Sequence, residues 1–126
     1  MTTLTKEQAD RMRLLVVDLR ANGHLQGKNA LRTADNTFCC LGRACELSGL
    51  GVWDEIYNTS SVIAYIVPDE RQYWGVMPNA VRDWYGFECS GGFYDAEDHA
   101  LDALNDAGVS FASIADRIEQ RYHLTD

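Results

Sequence analysis

Three of the four cysteines, Cys39, Cys40 and Cys45, fall in the stretch TFCCLGRACELSG (residues 37–49), beside Arg43 and Glu46. Thiols grouped this closely could ligate a metal, supply a nucleophile, or fill the apolar face of a helix. A structural zinc site takes four convergent ligands, usually as two close pairs. Cys40 and Cys45 are separated by four residues, but no second pair follows: Cys89 is isolated, and His24, His99 and His123 are scattered. No metal and no other cofactor is therefore expected. The nucleophile reading is better founded. If a helix starts at Phe38, Cys39 lies in its first turn on the polar arc with Gly42, Arg43 and Glu46. The positive helix end and Arg43 would then both lower the thiol pKa. Such a hydrolase also needs a base within reach. His99, followed three residues later by Asp102, is the pairing that suggests one. The third reading is the plainest. On a helical wheel Cys45 lines up with Phe38, Leu41 and Ser48, and Cys40 lies next to them, where unpaired cysteine packs as a small hydrophobe.

Two other groupings could bind. Asp95, Asp98, Asp102 and Asp106 recur at helical spacing. A helix spreads them over about 16 Å, too far for one cation cage, so they read as a solvated face or, at Asp95, Asp98 and Asp102, as a contact surface for a basic partner. Trp53, Trp74 and Trp84 concentrate with Tyr57, Tyr65, Tyr73 and Tyr85 between residues 53 and 85. Most should fill the core. Some, with Arg32, Arg71 and Arg82, suit a protein interface or a pocket for a small anionic, nucleotide-like ligand. Arg32, Trp74 and Arg82 are the binding candidates of this group.

The totals narrow the classes. Nineteen acidic against eleven basic residues give a formal charge of −8, which disfavours sequence-independent contact with nucleic acid. "GVSFASIADRIEQRY" has the look of the first helix of a helix-turn-helix, but no recognition helix follows it before Asp126. The runs Leu14 to Val17 and Val62 to Val67 are too short to span a bilayer, and the polar start MTTLTKEQADRMR has no leader-type apolar region. A cytoplasmic protein with reduced thiols, off the membrane, is expected. A protein partner is compatible with this charge balance, and so is a homo-oligomer.

The elements that must position these residues follow from local signals. Thr5-Lys6-Glu7-Gln8 is a capping box, opening a helix with Met12, Leu15, Val16 and Leu19 on one face and a stop at Asn22-Gly23. A short extended piece over 30–33 and a turn at Asp35-Asn36 lead into the cysteine helix, which Gly49 ends. "VIAYIV", a type I turn starting at Pro68-Asp69, and "QYWGVM" predict a β-hairpin. Pro78 starts a short helix closed by Gly86, and "ECSGG" reads as a flexible loop. Residues near 96–107 predict a helix stopped by Gly108. Ser110 caps a last one bearing Phe111, Ile114, Ala115, Ile118 and Tyr122. The fold class is α+β: one domain over residues 1–126, mostly helical with about five helices, a small antiparallel sheet and a C-terminal αα-hairpin.

Taken together, Gly27 to Arg32 (G-x-x-x-L-R), Cys39-Cys40-Leu41-Gly42, Met77-Pro78 with Trp84 and Gly86, and Leu104-Asn105-Asp106 with Ser110-Phe111 form a wider pattern. It resembles a family of small uncharacterised proteins encoded by bacteriophages and prophages, often of actinobacteria. The resemblance implies a phage accessory protein that acts by occupying a host protein, for host takeover or anti-defence, or by sequestering a small molecule. It implies no catalytic residues.

Overall fold

The computed structural model describes residues 4–55, 62–70, 73, 75–93 and 100–124. Thr5 opens α1 (Lys6–Ala21): its hydroxyl accepts the Gln8 amide at 3.1 Å, and the Gln8 side chain accepts the Thr5 amide at 3.0 Å. Met12, Leu15, Val16 and Leu19 form the buried face, which packs chiefly along α5 (Phe111–Tyr122). On the exposed rim of this pair Arg20 holds Asp116 and Glu119, each at 2.6 Å. Ser110 caps α5 by accepting the Ser113 amide at 3.2 Å.

The cysteine segment forms α2 (Cys40–Ser48), ended by Gly49 in the left-handed conformation at φ 65°. Three short antiparallel strands, β1 (Arg32–Thr33), β2 (Val52–Glu55) and β3 (Val62–Ile66), stand in the order β1-β3-β2. The register sets Arg32 opposite Ile63 and Trp53 opposite Tyr65. The expected hairpin is thus only partly realised. β3 takes β1 and β2 as its partners, and the returning chain adds a single described bridge, Tyr73 to Tyr65. The turn between them is also not type I. Asp69 sits at φ 66°, and a positive φ at the third turn position is the mark of type II.

Pro78 supplies no side-chain cap to α3 (Asn79–Tyr85). The carboxylate of Glu70 does so from outside, accepting the Asn79 amide at 2.8 Å and the Ala80 amide at 3.0 Å. Gly86 ends the helix at φ 80°. The segment read as a flexible loop is a tight turn, closed by reciprocal Cys89–Gly92 backbone bonds of 3.0 and 3.2 Å. The expected helix near 96–107 is α4 (Leu101–Asp106), and residues 96–99 of that expectation lie outside the described residues. Ala100 is extended, at φ −72° and ψ 161°, so the helix begins only at Leu101. Residues 107–110 join α4 to α5 as the expected αα-hairpin.

A contiguous core ties helices to sheet through Tyr65, Met77, Tyr85, Leu101, Phe111 and Ile118, all at most 1% exposed. Among the described residues the result is an α+β fold of five α-helices and a three-stranded antiparallel sheet. Among the described residues no helix is long and apolar enough to cross a membrane.

Candidate functional site

Cys39 occupies the N-cap of α2 rather than its first turn, and its Sγ accepts the Gly42 amide at 3.4 Å. The helix end is therefore close, as the nucleophile reading requires, but the surroundings oppose ionisation. Only 2% of the residue is exposed. Burial pushes the thiol up to about 12, and the charges of Asp106 and Asp102 add to the effect. Arg43, expected to lower this pKa, is committed elsewhere: its guanidinium makes two bonds of 2.8 Å to the Asp18 carboxylate. Burial likewise raises Cys40 and Cys45, and Cys40 Sγ donates to the Leu101 carbonyl at 3.7 Å. At neutral pH Cys39 is a protonated, enclosed thiol. His99 lies outside the described residues. The expected outcome with iodoacetamide at pH 7 is that half-buried Cys89 is modified first, while Cys39, Cys40 and Cys45 stay unmodified. Peptide mapping by mass spectrometry checks this, and faster labelling of Cys39 than of Cys89 would revive the hydrolase reading.

Beside Cys39 opens a cavity of about 360 Å³, lined by Asn29, Ala30, Gly75, Val76, Asp102 and Asp106. Asp106 accepts the Asn29 amide at 2.7 Å. Asp102 is half-buried, and burial first, then repulsion from Asp106, holds its carboxyl above the usual range. Asp95 and Asp98, the other members of the expected acidic surface, lie outside the described residues.

Asn105, next to Asp106 in α4, is fully buried, and both polar atoms of its side chain are hydrogen-bonded. Its Oδ1 accepts the Cys40 amide and the Gln26 side-chain amide, both at 3.1 Å, and its Nδ2 donates to the Gly27 carbonyl at 2.7 Å. Gln26 in turn accepts the Phe111 amide at 3.0 Å. One asparagine and one glutamine thereby cap α2 and α5 and tie both to the chain before β1.

The arginine-aromatic candidates separate. Trp74 lies outside the described residues. Arg82 is on α3, spent on Asp83 at 2.9 Å and Asn79 at 3.2 Å. Arg32 is the one that meets aromatic rings. Its guanidinium carbon stands 5.3 Å from the Phe38 centroid and 5.4 Å from that of Trp53. The two rings meet edge to face at 5.9 Å, and Trp53 packs tilted against Tyr65 at 4.7 Å. Arg43 covers Phe38 at 4.7 Å, and the Trp53 indole donates to Glu46 at 2.6 Å. Phe38 was read only on the apolar face of the cysteine helix, and Trp53 only as one of the aromatic group between residues 53 and 85, without being singled out. The signal that could have paired Phe38 with Arg32 is the Asp35-Asn36 turn, which folds residue 38 back onto residue 32 as an antiparallel bridge.

A family model described as DUF8296, a domain of unknown function, matches residues 11–122. The chain belongs to that family. In this DUF8296 protein the matched span contains every residue of the Asn105 hub, the cavity and the Arg32 cluster. No curated protein and no solved structure matches the chain.

Proposed function

We propose that this DUF8296 protein acts by stoichiometric, non-catalytic binding to a protein partner, as a phage accessory protein engaging a host factor in the host cytoplasm. Host takeover or anti-defence is the corresponding role. The observation that carries the binding reading is the state of Arg32. In this acid-rich chain Arg13, Arg20, Arg43, Arg82 and Arg121 each hold a carboxylate. Arg32 has none among the described residues. It rests on two rings of a partly exposed cluster, and arginine and tryptophan are the residue types that dominate binding energy at interfaces. A nucleotide-like polyanion is the poorer fit, since the chain carries a formal charge of −8.

The test is affinity capture from a bacterial lysate followed by native mass spectrometry, which also reads any homo-oligomer. Wild type is expected to hold a partner in fixed stoichiometry. Arg32→Gln is expected to weaken that complex by about 1–2 kcal/mol, roughly tenfold in Kd, with an unchanged melting temperature. Arg82→Gln, whose charge Asp83 already matches, should bind as wild type. Equal binding by Arg32→Gln and wild type would sink the reading.

A further inference from the structure

We infer that the Arg32 guanidinium receives one carboxylate from an aspartate or glutamate side chain of the partner, an assignment that rests on the protein-binding reading above. The separations of 5.3, 5.4 and 5.9 Å describe a near-equilateral triangle. The guanidinium is therefore not sandwiched: both rings lie to one side of it, and its other side is uncovered by them. Its position is held in advance. Nη2 donates to Asn36 Oδ1 at 2.6 Å, and Asn36 is itself fixed at φ 62° in the turn that closes β1, where its amide donates to the Thr33 carbonyl at 3.0 Å. Nε is buried and has no hydrogen-bond partner among the described residues. With Nε enclosed and one Nη2 proton used, the donors left among the described residues are those of Nη1 and the second proton of Nη2. Those two nitrogens form the end of the fork, which matches the two oxygens of a carboxylate with parallel bonds. Prior ordering of the fork removes much of the rotamer entropy that such a contact otherwise costs.

Local charge selects among oxyanions. Arg43 is neutralised by Asp18 at 2.8 Å, and Glu46 sits against Trp53 at 2.6 Å. The two positive charges of the cluster are thus already balanced by two negative ones. A phosphate dianion would add two further negative charges at one fork, whereas a carboxylate adds one and fits its geometry.

The experiment uses the ¹⁵N-labelled protein, following the Arg32 Nε–H and Trp53 Nε1–H signals. Three probes are titrated at matched ionic strength: N-acetylglutamate α-amide, the uncharged N-acetylglutamine α-amide, and inorganic phosphate. Both signals are expected to shift saturably with the carboxylate alone, and the Trp53 shift is expected to vanish in Arg32→Lys. No shift with the carboxylate, saturation by phosphate at lower concentration, or a Trp53 shift that survives Arg32→Lys would each overturn the assignment. If Arg32→Gln loses the captured partner while the carboxylate shifts nothing, the carboxylate assignment falls and the binding reading stands. If the carboxylate shifts both signals while Arg32→Gln still captures the partner, the anion site stands but its assignment to that partner falls.

Discussion

Gly42→Ala is expected to be the most damaging single methyl group in the protein. Helix propensity alone argues the other way, since alanine within α2 should gain about 1 kcal/mol over glycine. Packing decides the sign. A Cβ on Gly42 would overlap the Leu31 carbonyl oxygen and fall 2.6 Å from the carbonyl carbon. That obstacle is backbone, so no rotamer change relieves it. Leu31 is fully buried and leads directly into β1, so moving it would also move Arg32 away from its rings. A loss of about 4 kcal/mol or more is expected, in the range reserved for severe core defects and a large share of a domain's usual stability. With a urea slope of about 2 kcal/mol per molar, the unfolding midpoint should fall by about 2 M. Gly23→Ala is the comparison: nothing lies within 4 Å of its added Cβ, and a gain of a few tenths of a kcal/mol is expected. Equal midpoints for Gly42→Ala and wild type would mean that α2 does not rest on Leu31.

Asn105→Leu is expected to rank second. The change keeps side-chain volume roughly constant, so its cost isolates the polar connections. It strands the Cys40 amide, the Gly27 carbonyl and one bond of the Gln26 side chain. A buried group left without its partner costs about 1–3 kcal/mol. Because the three losses share one site they will not simply add, and a total of about 3 kcal/mol is expected. Hydrogen exchange provides the specific readout. The Cys40 amide opens α2 and has no intrahelical acceptor, so its protection depends on Asn105. In Asn105→Leu that amide should exchange far faster while amides in the middle of α5 remain protected at the reduced global stability. Undiminished protection at Cys40 would show that the hub does not hold the helix end.

How much of this was readable depended on the range of the interaction. Thr5 and Gln8 cap α1 within one turn, and Gly49 and Gly86 stop their helices by a local backbone need, so these boundaries stood in the sequence. The stripe Phe111, Ile114, Ala115, Ile118 and Tyr122 was equally plain, because helical period alone places it. β2 was not foreseen: Val-Trp-Asp-Glu is too short and too polar to announce a strand, and it exists because β3 offers it an edge. The start of α4 was misplaced since Ala100 and its neighbours carry helix-compatible residues, while the observed break lies in backbone angles.

The candidate site divides in the same way. Arg32 stood out by type, but Phe38 and Trp53 reach it through a turn and a sheet register. Cys39 looked activated because a helix dipole and Arg43 are visible in sequence. Burial and the Asp18 ion pair, formed 25 residues away in the chain, reverse that expectation. Asn105 gave no sign beyond its place in the Leu-Asn-Asp pattern, since a buried asparagine is written like an exposed one. By itself the sequence determined the start of α1, the stops of α2 and α3, the apolar faces and the negative charge, which are set by neighbours within a turn or by simple sums. Only the tertiary structure decided which polar groups lose water and which partners meet them, because desolvation and pairing are properties of the packed chain, and these settle whether a thiol ionises or which partner an arginine meets.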